Sequence, residues 1–116
     1  MLFVCYAKCS TCKKAENYLL EKGVAISKRD IQEANPSLEE LTAWYKKSGL
    51  PLKRFFNTSG ILYREMELKD KLKDMSEEEQ LQLLATDGML VKRPLVITED
   101  YDLVGFKEAE WQAKGL

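Results

Sequence analysis

The chain has no histidine. That absence removes a Cys-His dyad, a Ser-His-Asp triad and any zinc site built on imidazole. It has only three cysteines, all between positions 5 and 12. An odd number packed so closely is not the spaced framework of a disulfide-stapled secreted domain, and it would leave a zinc ion one ligand short. No apolar run approaches the roughly 20 residues a membrane helix needs. The start, Met1-Leu2-Phe3-Val4, runs into Cys5 and Tyr6 without the basic segment of a signal peptide. Neither sign of charge dominates: 18 Lys plus Arg stand against 19 Asp plus Glu, for a net charge of −1. That balance gives no electrostatic reason to expect nucleic-acid or membrane binding. Together these absences predict a cytoplasmic protein of one domain, taken as a monomer, with no metal and no bound cofactor. Its chemistry falls to Cys, Lys and Arg.

What is present is concentrated near the start. A short apolar strand, about residues 2 to 7, runs into Cys9-Ser10-Thr11-Cys12 and then into a helix, about Thr11 to Glu21. Strand, C-x-x-C, helix is the order of a thioredoxin-like redox motif. Unpaired N–H groups at a helix N-terminus stabilise an anion, so a cysteine placed there ionises more easily, and the thiolate is the nucleophile. Cys9 at the N-cap is therefore the candidate attacking thiolate, and Cys12, one turn later and more buried, the candidate resolving thiol. Cys5 is expected to point into the core. Lys8, Lys13 and Lys14 surround the motif and would each lower the Cys9 pKa, with Thr11 supporting inside the loop. Lys92-Arg93-Pro94 is a second constellation: Pro94 begins a strand and could be a cis-proline facing the C-x-x-C loop. Arg93 would offer a planar, always-charged group beside it. The plainer alternatives are unreactive cysteines, solvated lysines and a strand-start proline with a surface arginine.

The remaining sequence supplies the frame. Val24 to Ile31 alternates as a second strand after Gly23, giving β-α-β with a right-handed crossover and parallel pairing. Residues 32 to 90 are polar and helical. Ser37 with Glu40 and Ser76 with Glu79 read as capping boxes. Leu38, Leu41 and Tyr45 mark one face of the first of these helices, with Trp44 beside it, and Gly49 ends it. Pro51 to Phe56 reads as a helical turn presenting Phe55 and Phe56 inward, and Gly60 to Leu72 as broken helix. Pro94 to Thr98 and Leu103 to Phe106 form a hairpin, and Lys107 to Lys114 closes the chain as a helix.

In combination, Cys9-Ser10-Thr11-Cys12-Lys13-Lys14-Ala15, the helical insertion, Phe56-Asn57-Thr58-Ser59 and Lys92-Arg93-Pro94-Leu95 resemble the arsenate reductase-like family. That family includes glutaredoxin-coupled arsenate reductases and the Spx/MgsR-type redox regulators, and the chain is most similar to the latter, smaller branch. The resemblance covers about residues 2 to 112. It implies an α/β, thioredoxin-like fold of glutaredoxin type (β-α-β, then β-β-α), with core residues about 1–31 and 91–116 and a helical insertion at about 32–90. It implies that Cys9 is the reactive cysteine, Pro94 the cis-proline and Arg93 the arginine next to it. Reductases of this type use two further arginines; the segments Phe55 to Ser59 and Val104 to Phe106 contain none, although Lys107 is adjacent. A negatively charged arsenic oxyanion needs several donors to replace its lost water.

Three functions follow. The first is a thiol–disulfide redox protein acting on an oxidised protein or a low-molecular-weight disulfide, with glutathione or another thiol as co-substrate. The second is a redox-sensing transcription regulator docking on the RNA polymerase α subunit. The third is glutaredoxin-coupled arsenate reduction, weakened by the missing arginines.

Overall fold

The computed structural model describes all residues, 1–116. Four strands form one sheet: β1 (Leu2–Cys5), β2 (Ser27–Asp30), β3 (Leu95–Ile97) and β4 (Asp102–Val104), in the spatial order β2-β1-β3-β4. β1 runs parallel to β2, with Leu2 opposite Ser27 and Cys5 opposite Asp30. β3 lies antiparallel on its other side, and β4 pairs antiparallel with β3. The parallel pair needs a crossover, and α1 (Ser10–Glu21) provides it.

Period-two alternation along the strands sends side chains to two different layers. Phe3, Cys5, Val96 and Leu103 face α1 and the closing helix α6 (Glu108–Ala113), packing with Cys12, Ala15, Leu19 and Trp111. Val4, Leu95 and Val104 face the opposite way, into a larger cluster built by the helical segment between β2 and β3. That segment holds α2 (Leu38–Ser48), a 3₁₀ turn (Leu52–Phe55), α3 (Ile61–Glu65), α4 (Leu68–Lys71) and α5 (Glu77–Leu84). No helix is long and apolar enough to cross a membrane.

Both capping boxes form, with Ser37 accepting from the Glu40 amide and Ser76 from the Glu79 amide at 3.1 Å. Gly49 follows α2 at φ 67°, the left-handed conformation that a side chain disfavours. Two details differ from the sequence pattern. The second strand starts only at Ser27, opposite Leu2, the first residue of β1; Val24 and Ile26 pack against the Phe3 layer from the preceding loop. On α2 the buried face is Leu41 and Trp44, while Leu38, in the first turn, stays 37% exposed.

The start and end of the helical segment meet beside the sheet. Phe56 bridges Val91, the Lys92 amide donates to the Phe55 carbonyl at 2.8 Å, and the Asn57 amide to the Leu90 carbonyl at 2.8 Å. These bonds hold residues 53–60 against 91–93, at the end of the sheet where α1 begins.

Candidate active site

Cys9 is the N-cap of α1: its backbone is extended (φ −94°, ψ 119°) and its carbonyl accepts the first helical bond, from the Lys13 amide at 3.2 Å. The Cys9 thiol stands at the N-terminal end of α1, where the first backbone N–H groups have no partner within the helix. Burial works against its ionisation and is the largest influence on it. The Cys12 amide and thiol, which donate to its sulfur, and the hydrogen-bonded Arg93 guanidinium outweigh burial and hold the Cys9 pKa below the ordinary cysteine range. Cys12 is the opposite case. It is 3% exposed, and burial first, then the neighbouring Cys9, push its thiol up to about 12. The Tyr6 amide donates to Cys12 Sγ at 3.4 Å; it favours the thiolate and is second only to burial among the influences on this thiol. All three cysteines are free thiols; Cys5 is buried in the layer beneath α1, and that burial raises its pKa.

Arg93 is placed by its neighbours. Its guanidinium lies over the Tyr6 ring, 5.0 Å from the centroid, and reaches toward Met89 Sδ at 3.9 Å. The Arg93–Pro94 peptide is cis and Pro94 is buried, with its carbonyl accepting from the Gly105 amide at 2.8 Å. The structure thus brings Cys9, Cys12 and Arg93 together, with Pro94 buried next to Arg93 in the chain. It corrects the lysines. Lys8, Lys13 and Lys14 are exposed, and the charge that acts most on Cys9 is Arg93. Lys8 lies in the turn before α1, and Lys13 and Lys14 lie on the helix face away from buried Cys12 and Ala15, whereas Arg93 comes from a different element. Thr11 lies at the mouth, in the walls of two neighbouring cavities.

One of these cavities, about 550 Å³, opens on Cys9 and includes Ile61, Met89, Lys92 and Arg93. The other, about 470 Å³, is lined by Lys53, Arg54, Lys92, Gly105 and Lys107 among others. Arg54, just before the segment that lacks arginine, was missed by sequence reasoning. It is held by Glu110 at 3.0 Å and the Val104 carbonyl at 3.2 Å. Nothing local in the sequence signals that contact, which joins residues 56 apart.

With the geometry in place, comparison with known proteins gives the class. The ArsC family model matches residues 5–114. The chain belongs to the ArsC family. A putative ArsC family related protein from Bacteroides fragilis superposes with TM-score 0.94 at 55% identity, covering 97% of this chain and 94% of that one. The thioredoxin-like core expected from the sequence is the one the family shares. Among curated relatives, the uncharacterised protein YusI of Bacillus subtilis is 55% identical over 97% of this chain and 95% of its own length. The global transcriptional regulator Spx of Enterococcus faecalis is 26% identical over 88% of this chain and 76% of its own.

Proposed function

We propose that this protein is a thiol–disulfide redox protein in which Cys9 is the nucleophile and Cys12 the resolving thiol. The observation that carries the reading is the pairing of one thiol at a helix cap, held below its ordinary pKa, with a second, buried thiol hydrogen-bonded to it. In the first step the Cys9 thiolate attacks one sulfur of a disulfide, forming a Cys9 mixed disulfide and releasing the other half as a thiolate. Cys12, losing its proton to solvent, then attacks Cys9 Sγ, forming a Cys9–Cys12 disulfide and releasing the second half. The substrate disulfide is reduced by two electrons and the protein dithiol is oxidised by two. Arg93 stabilises the attacking thiolate. The natural substrate is an oxidised protein or a low-molecular-weight disulfide in a reducing compartment, with glutathione or a similar thiol restoring the dithiol.

The similarity to Spx favours a second reading, in which the same switch gates docking on a transcription partner such as the RNA polymerase α subunit. Arsenate reduction is the weaker reading, because Arg93 is the one arginine beside Cys9 and Arg54 is already paired with Glu110. The test is trapping. A Cys12→Ser variant expressed in cells should accumulate mixed disulfides through residue 9, which mass spectrometry of the captured species identifies. Recovery of no adducts, or of adducts only on Cys5, overturns the reading.

A further inference from the structure

The cavity beside the Cys9 pocket has a character the two-thiol chemistry does not require. Lys53, Arg54, Lys92 and Lys107 line it, and no carboxylate does. Arg54 is neutralised by Glu110, but Lys53, Lys92 and Lys107 take part in none of the ion pairs of the structure. In a chain of net charge −1, this gathering of unpaired cations is local rather than a reflection of general basicity. Gly105 is part of its construction. It sits at φ +76°, and a Cβ there would come within 3.1 Å of Lys92 Cε, so the lysine stem lies directly against it. Thr11 and Lys92 are common to this groove and to the Cys9 pocket, so the two are continuous. The far side of Cys9 is different: Met89 and Ile61, the latter 66% exposed, give it an apolar rim.

The geometry points to a specificity site: Lys53, Lys92 and Lys107 select disulfides that carry carboxylates, by holding the acidic half in the groove while Cys9 attacks the adjacent sulfur. This rests on the thiol–disulfide reading above and adds the substrate class to it. Two sources share the chemistry: a small acidic disulfide, and an acidic stretch beside the disulfide of a protein. The groove contributes no bond-making step; it raises the local concentration of anionic substrate and fixes which half faces it.

The test uses the reduced full chain and three small disulfides: dithiodiglycolate (dianionic), bis(2-hydroxyethyl) disulfide (neutral) and cystamine (dicationic). The rate of loss of iodoacetamide-reactive Cys9 is followed for wild type and for Lys53→Gln/Lys107→Gln. Neither substituted lysine touches Cys9 or Cys12, and comparing proteins with one reagent at a time cancels the reagent's intrinsic reactivity. The expected result is a fall of about threefold to tenfold for the dianion, little change for the neutral reagent and a rise for the dication, all shrinking toward unity in 1 M salt. Equal factors for all three reagents overturn the inference while leaving the redox reading intact. A Cys9 that reacts with none of them overturns the redox reading itself. An Asp- and Glu-flanked peptide disulfide distinguishes the sources. A larger variant effect on the peptide than on dithiodiglycolate supports a protein substrate, and the reverse supports a small one.

Discussion

Arg93→Met isolates the electrostatic contribution to the Cys9 thiolate. The replacement keeps an unbranched stem over Tyr6 and against Met89 but removes the charge that hydrogen-bonds Cys9. A hydrogen bond to a charged group contributes about 1.5–3 kcal/mol. Arg93 and Cys9 are both half-buried, so solvent screening argues for the low end of that range. About 1.4 kcal/mol is a tenfold loss of thiolate at a fixed pH below the titration. The thiolate that remains is more basic and so more nucleophilic, with a Brønsted slope of about 0.4–0.5, which returns about threefold. The net expectation is an iodoacetamide rate at residue 9 lower by about threefold at pH 7, reversing at high pH where both proteins are fully ionised. Mass spectrometry of the labelled peptide gives the rate, and Cys12, pushed up to about 12, does not compete for label in this range. Lys13→Gln/Lys14→Gln should leave the profile where it is. An Arg93→Met profile superimposable on wild type, or a shift produced by the lysine variant instead, refutes the assignment.

Two further outcomes test the frame around the site. Glu40 accepts from Arg29 at 2.6 and 2.9 Å and from the Ser37 amide, and the Arg29 hydrogen bond is the main reason its pKa falls from 4.5 to about 2. A carboxylate with a depressed folded pKa contributes stability that is complete above its ordinary value and is lost as pH falls through the folded one. Glu40→Gln should therefore be less stable by about 1 kcal/mol at neutral pH, discounted because the pair is partly exposed, and the two urea-denaturation curves should converge between pH 4.5 and about 2. A gap that persists at pH 2 would show that the charge is not what Glu40 contributes. Gly88→Ala would place a Cβ 1.9 Å from the Ile31 carbonyl oxygen, which only a backbone shift relieves. A loss of about 1–3 kcal/mol in urea titration is expected, and an unchanged midpoint would mean the two segments are not held that closely.

The parts of the site readable from the sequence are those set by neighbours along the chain. Cys9 and Cys12 lie on one short helical turn, Ser37 and Glu40 close a box three residues apart, and Arg93 adjoins Pro94. The unreadable parts are pairings across long separations. Arg54 meets Glu110 from opposite ends of the fold, Lys47 reaches the buried Asp102 at 3.0 Å, and Arg29 reaches Glu40 from another element. Each depends on how the helical segment docks on the sheet, which no local periodicity encodes. The lysines beside Cys9 misled for the same reason. Proximity in sequence placed three cations near the thiol, but all three stay exposed, two of them on the outer face of α1, and docking brought a different cation in.

In the proposed reaction the arrangement of the two thiols lets the first step prepare the second. Beyond its burial, the Tyr6 amide favours the Cys12 thiolate, while the hydrogen bond with Cys9 and the charges of Cys9 and Cys5 oppose it. Before any substrate arrives, a second thiolate beside the first is therefore disfavoured, and Cys12 stays protonated. Once Cys9 becomes a mixed disulfide it carries no charge, so its opposition disappears while the Tyr6 amide remains at 3.4 Å. Burial and the smaller effect of Cys5 then hold Cys12 up, and the target sulfur is already next to it. On the proposed reading, the reduced nucleophile helps keep the resolving thiol protonated, and its capture lifts that opposition. An enzyme and a sensor need that same sequence of events. They differ in how fast the resulting disulfide is reduced again, which is set by what can reach Cys9 past the lysine-lined groove on one side and Ile61 on the other.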